Sequence, residues 1–256
     1  MSGTGSRLAR PSRHTAGPAD SSRRRVTKDP EVRRDELLDV AWELCRTDGF
    51  DSMNVEQVTR TAGVAKGTFY HYFASKDAML EQLVQRFGDR LFDHLSASLS
   101  GHDGTGAEQL KTIMDAASSY KLAQADITYA SFLYRPENLA LRHRLFGSWR
   151  EHARQVLLPV IRSGCADGSF SVADDAGATD LVLLLWFDAA DQLWERALLA
   201  PDADSFAAVM LGGAASIYQA QERILGLPEG TFNLPVQPEL LELIRHLFQT
   251  IDRTQS

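Results

Sequence analysis

NVEQVTRTAGVAKGTFYHYF, residues 54–73, reads as two short helices joined by a tight turn. Asn54 is a good N-cap, and Gln57 stands three residues on, where the return partner of a capping box belongs. Val55 and Val58 share one face of the first helix. Gly63 supplies the backbone freedom of a sharp turn, and Val64 is placed to plug the core beneath it. A second helix begins near Lys66. Phe69 and Phe73 are one turn apart and point inward, which leaves Lys66, Gly67, Tyr70 and His71 outward. A short helix with a basic, aromatic, hydrogen-bonding outer face suits the major groove of DNA.

Working outward, the segment before the motif predicts a helix from about Glu31 to Thr47, with Leu37, Val40, Ala41, Leu44 and Cys45 on one face. Gly49 ends it and Phe50 folds back onto the core. Cys45 falls on the apolar face, as a small core residue. After the motif, Ser75 caps a further helix with Asp77 in its first turn. Its apolar positions Met79, Leu80, Leu83, Phe87, Leu91 and Leu95 run well past the motif and predict a mechanical connection to the rest of the chain.

LLDVAWELCRTDGF followed by NVEQVTRTAGVAKGTFYHYFASKDAML resembles the DNA-binding domain of the TetR family of bacterial transcriptional regulators, over about Glu31–Leu83. The resemblance implies an all-α homodimer. A three-helix helix-turn-helix domain at the N-terminus would be followed by a larger C-terminal helical domain for ligand binding and dimerisation. On that pattern residues 1–29 are a basic tail, 30–76 the DNA-binding domain and 77–256 the ligand-binding and dimerisation domain. Carried over by position, Lys66 and Gly67 open the recognition helix, while Thr68, Tyr70, His71 and Tyr72 stand where family members contact phosphates and bases. Tyr72 suits either packing or phosphate contact. Asn54 and Lys76 begin flanking helices, each placed to clamp a phosphate. Ala65 departs from the family, which commonly has a capping Ser or Thr there; the missing cap costs about 0.5–2 kcal/mol.

The 256-residue chain carries a formal charge of −7, which argues against indiscriminate nucleic-acid binding, but the charge is uneven. Residues 1–90 hold 15 Lys and Arg against 13 Asp and Glu, and the remainder holds 12 against 21. That split fits DNA contact confined to one end. The tail, with Arg23–Arg25 just before the first helix, reads either as a solvated segment or as an arm along the DNA backbone or minor groove. The longest apolar run, Leu181 to Phe187, is too short to span a bilayer, so no membrane partner is expected. Two cysteines without a partner pattern and no apolar leader imply a reducing cytoplasm, with the protein on the nucleoid when bound to DNA.

Beyond a loop at residues 100–106, helices are expected at about 107–124, 126–134, 137–165, 174–200, 203–226 and 239–251, with a turn at Gly164–Gly168. The helices around 174–200 and 203–226, the first Leu- and Trp-rich and the second rich in small residues, suit a four-helix homodimer contact; their faces could equally fill the monomer's own core. Tyr129, Phe132, Tyr134, Phe146 and Trp149 are the candidate lining for a small organic effector, with plain core as the competing account. Arg142, His143, Arg144, Arg150, His152 and Arg154 crowd one helix and read as a solvated face.

No catalytic, cofactor or metal constellation emerges. The S-x-x-K spacing from Ser118 to Lys121 lacks its companion motifs, and the seven histidines have no ligand spacing. The expectation is a ligand-responsive repressor on a palindromic double-stranded operator. The alternatives are an activator, a ligand-independent regulator of the same fold, or a helical binding protein or enzyme without DNA function.

Overall fold

The computed structural model describes residues 29–123, 127–232, 241–242 and 244–249, and every regular element among them is helical. The basic tail, and parts of the expected 239–251 helix, lie outside the described residues. Among the described residues, ten α-helices run in order: α1 Pro30–Ser52, α2 Val55–Thr61, α3 Lys66–Tyr72, α4 Lys76–Ser98, α5 Gly106–Ala123, α6 Ile127–Leu133, α7 Leu139–Asp167, α8 Asp175–Leu184, α9 Ala190–Ala197 and α10 Ala203–Leu225. Residues 244–249 are also helical. No helix among the described residues is long and apolar enough to cross a membrane.

Local chemistry starts most of these helices. The side chains of Asp29, Asn54, Ser75, Asp174 and Asp202 each accept a hydrogen bond from a backbone N–H in the first turn of the adjoining helix. Asn54 and Gln57 form both halves of the capping box, each bond 2.9 Å. Gly63 turns the chain with φ 65°, a conformation that strains any side-chain-bearing residue, and Val64 N–H closes the turn on Thr59 O at 2.9 Å. Helix α1 runs further than the sequence suggested: the chain departs from helical geometry at Gly49 and resumes for one turn, which drops Phe50 into the core.

Two other expectations change. Gly164–Asp167 is the last turn of α7, not a separate turn, and the helix ends only at Gly168. The extra turn survives because Gly164 is buried against Phe170 and the start of α5, so packing overrides its turn propensity. The single helix expected over 174–200 is interrupted by a π-helical turn, Leu185–Ala189. A π-turn, with i→i+5 bonds, is uncommon and occurs mostly as a single-turn bulge inside an α-helix.

One main core runs from the α1–α3 end into the body, with a second, smaller apolar cluster around Ala130, Ala197, Phe206 and Leu247. Leu37, Phe50, Val58, Phe69 and Phe73 fill the α1–α3 end, each no more than 2% exposed. Helix α4 continues that core, burying Met79, Leu80, Leu83, Phe87, Leu91 and Leu95 while packing on α1, α5 and α7. Arg86 of α4 is tied to α1 through Asp39 at 2.9 Å and the Asp35 carbonyl at 3.3 Å. Burial pushes the Cys45 thiol up to about 12, as an inert core residue requires.

Candidate nucleic-acid interface and effector cavity

The recognition face is built by packing what lies behind it. Phe69 and Phe73 anchor α3 from below with ring centroids 5.3 Å apart. Their burial turns Lys66, Gly67, Tyr70 and His71 to solvent. Tyr70 is 51% exposed although large and aromatic, a position that folding alone does not reward. Open space surrounds Gly67, so a ligand backbone can approach α3 closely there. Thr68, Tyr72 and Lys76 are half-buried along the edge. The Tyr72 ring packs against the core while meeting His71 edge-on at 4.9 Å. Asn54 is exposed, but its side-chain oxygen is committed to the cap. Helix α3 begins after Ala65 without a side-chain cap, and in its first turn Thr68 N–H donates to Ala65 O at 2.9 Å.

Glu56 shares this face, and its place there was not visible residue by residue in the sequence. Its carboxylate accepts a 2.8 Å hydrogen bond from Lys66 Nζ, and that bond holds the Glu56 carboxyl below its usual range. The pair spans ten residues across the turn, so no helical spacing announces it.

The second feature is a cavity of about 370 Å³ lined by residues of α4–α7, the π-helical segment, α9 and α10. Of the five aromatics proposed from sequence, Tyr129, Tyr134, Phe146 and Trp149 line it. Phe132 does not. Its ring instead stacks on Phe50 of α1 at 4.5 Å, because α6 lies between the cavity and α1 and turns Phe132 away from the cavity. Tyr129, on the same helix, stacks on Trp42 of α1 at 4.3 Å while still reaching the cavity. The rest of the wall comes from elements to which the sequence did not point. Phe87 and Phe92 project from α4, Met114 and Ser118 from α5, and Met210 and Tyr218 from α10. Trp186, Phe187 and Trp194, assigned from sequence to a dimer-facing helix, line the cavity from the π-helical segment and α9. Trp186 Nε1 donates to Gln221 Oε1 at 2.7 Å, which fixes that ring.

The crowded basic helix is not uniformly solvated. Arg142 is only 4% exposed. Its Nη2 meets Glu195 at 2.6 Å, its Nη1 reaches the Leu133 carbonyl at 3.3 Å, and its Nε stands 2.9 Å from Asp191 Oδ1, without hydrogen-bond alignment. The guanidinium also lies 4.6 Å from the Tyr134 ring centroid. Burial raises the Asp191 carboxyl pKa, an effect opposed chiefly by Arg142. Arg150 and Arg154 pair outward with Asp188 and Asp180.

Helices α4 and α7 meet at one tight point. A Cβ at Gly88 would lie 2.0 Å from Trp149 Nε1 and 2.2 Å from Cε2. Gly88→Ala should therefore cost about 1–3 kcal/mol by overpacking, and drive α4 from α7 or displace the indole. A lower melting temperature with altered tryptophan emission is the expected signature.

Comparison with known proteins agrees with this architecture. The sequence profile of the family described as "Bacterial regulatory proteins, tetR family" matches residues 37–83. The chain is 30% identical over 162 residues to the HTH-type transcriptional repressor KstR2 of Rhodococcus jostii (strain RHA1), covering 61% of this chain and 74% of that protein. It is 32% identical over 77 residues to the HTH-type transcriptional repressor NemR of Escherichia coli (strain K12), covering 30% of this chain and 39% of NemR. Among solved structures, a transcriptional regulator from Cytophaga hutchinsonii superposes with a TM-score of 0.57 at 14% identity, over 75% of this chain and 98% of that one. The fatty acid degradation regulator FadR from Bacillus halodurans gives 0.51 at 20% identity, over 78% and 96%. These structural matches speak to fold. With its helix-turn-helix and its extended similarity to a repressor across both regions, the chain belongs to the TetR family of DNA-binding bacterial transcriptional regulators.

Proposed function

We propose that this regulator is a repressor that binds a near-palindromic operator as a homodimer and leaves it when a small organic molecule fills the cavity. Residues 30–76 act as the DNA-binding head and 77–256 as the effector-binding and dimerising body. The observation that carries the reading is the exposed Lys66–Gly67–Tyr70–His71 face, held rigid by a buried Phe69–Phe73 base. Lys66 and Gly67 approach base edges, Thr68, Tyr70, His71 and Tyr72 contact phosphates and bases, and Asn54 and Lys76 clamp phosphates from flanking helix N-termini. The relatives' description as transcriptional repressors favours repression as the sign of control.

The dimer face is assigned to α8 and α10. Leu181 and Leu184 of α8 are 49% and 46% exposed, and α10, which packs on α8, exposes Val209 and the small residues Ala208, Gly212 and Ser216. Large apolar side chains next to a small-residue stripe allow close helix packing with a symmetry mate. Leu184→Glu should shift the protein from dimer to monomer in sedimentation, while its helical circular dichroism is retained.

Helix α4 links the events. It reaches the cavity through Phe87 and Phe92 and begins at Lys76. An effector acts only through unequal affinity for the DNA-bound and released conformations. Selection of bound fragments from genomic DNA followed by gel shift tests the proposal, and a negative shift at low salt would overturn it. Tyr70→Ala should relax discrimination at one base by about 1–3 kcal/mol. Lys76→Ala should weaken binding to all sequences and lower the salt slope by about one.

A further inference from the structure

The composition of the cavity wall constrains the chemistry of its occupant. Ten of the 25 residues that line it are aromatic, contributed by α4, α6, α7, the π-helical segment, α9 and α10. Among the described lining residues Asp191 is the one that is charged, and no Lys, Arg or His is in the set. Asp191 sits at the Tyr134–Trp194 end, where those two rings stack at 4.9 Å, and its side chain is 16% exposed. Arg142 lies behind it and is shared, with Glu195 closer at 2.6 Å than Asp191 at 2.9 Å. One guanidinium thus serves two carboxylates, and Asp191, on the cavity side, also accepts a side-chain hydrogen bond from Tyr134.

A ligand carboxylate or phosphate in this space would lose its hydration without meeting a lining cation, which is costly. A ligand ammonium would meet the reverse, a carboxylate acceptor within a box of aromatic faces whose quadrupoles attract positive charge. Resting on the reading of this space as the effector site, we infer that the effector is an organic cation, a ring-bearing apolar amine whose ammonium donates to Asp191 while its body stacks among the aromatic rings. Ser118 and Tyr218, elsewhere in the wall, accommodate a neutral polar substituent.

The test is titration calorimetry of the full chain with six compounds: the methylamine, methanol and carboxylic acid derivatives of naphthalene and of anthracene. The amine should bind more tightly than the alcohol by about tenfold, the increment of one charge-assisted hydrogen bond, and the acid should be weakest. In Asp191→Asn, checked for retained helical circular dichroism, the amine's advantage over the alcohol should disappear. Tighter binding of the alcohol or acid on either ring system would overturn the cationic class while leaving the effector cavity standing. An amine preference unchanged in Asp191→Asn would overturn the assignment to that carboxylate. No saturable binding by any of the six would overturn the cavity reading together with the class.

Discussion

Arg142→Ala should destabilise the protein by about 3–5 kcal/mol, the usual result of leaving one member of a buried charge pair alone. The side chain is 4% exposed and engages Asp191, Glu195, the Leu133 carbonyl and the Tyr134 ring together. Glu195 is about half exposed and can return to water, whereas Asp191 cannot. The loss should depend on pH in a defined direction. Burial already raises the folded-state pKa of Asp191, and Arg142 is the main opposing influence, so its removal raises that pKa further. A carboxyl whose folded pKa lies above its unfolded value contributes stability that is present below the unfolded pKa and lost as pH rises through the folded one. The deficit of Arg142→Ala relative to the parent should therefore be widest at neutral pH and narrow on acidification. Chemical denaturation of both proteins across mildly acidic to neutral pH checks this. Arg142→Met combined with Asp191→Asn should recover much of the loss by removing the stranded charge. A deficit independent of pH would mean that the lost stability came from packing of the Arg142 stem.

Phe69→Ala should cost a similar amount, about 3–5 kcal/mol, through cavity formation, and should abolish DNA binding. The ring is fully buried and touches both Tyr70, edge-on at 5.3 Å, and Phe73. Helix α3 has only seven residues and lacks a side-chain cap, so packing rather than intrinsic helicity holds it. Removing the ring takes away its base. Because domains are stable by only about 5–15 kcal/mol, the head should melt before the rest of the chain. Gel shift should show no complex under conditions where the parent binds, and circular dichroism should show an early, partial transition. Phe69→Leu, which refills much of the space, should restore binding in large part. Full DNA affinity in Phe69→Ala would disprove the role of this ring in supporting the recognition face.

The parts legible in sequence are those whose physics is local. The capping box at Asn54–Gln57, the turn at Gly63, and the inward Phe69 and Phe73 all lie within a few residues of the partners that define them. The same holds for α4, whose apolar positions at helical spacing are all buried. Family resemblance added what spacing alone does not supply, namely which outward residues correspond to DNA-contacting positions.

The cavity was only half legible. Tyr129, Tyr134, Phe146 and Trp149 lie within 21 residues of one another, and their clustering pointed to a common region. Phe132 shares that neighbourhood but stacks on Phe50, because the tilt of α6 between α1 and the cavity decides which ring faces where. Arg142 looks like its basic neighbours in sequence. Its partners at 191 and 195 are about 50 residues away, so its burial comes from how α7 packs on the segment after α8. The π-helical turn has no marker in the Leu-rich run that contains it, and around it Trp186, Phe187 and Trp194 line the cavity while Leu181 and Leu184 stay exposed.

By itself, then, the sequence determined an all-helical chain with a helix-turn-helix near its start and a long helix leading away from it. Those features depend on caps, turn residues and apolar spacing, which act over one or two helical turns. The tertiary structure alone decided the cavity wall, the buried Arg142–Asp191 contact, the Glu56–Lys66 pair and the Gly88–Trp149 close approach. Each depends on how separate helices are placed against one another, consecutive ones for Glu56–Lys66 and helices distant in sequence for the rest. Interhelical packing sets that placement by filling the core as a whole, and no local pattern encodes it.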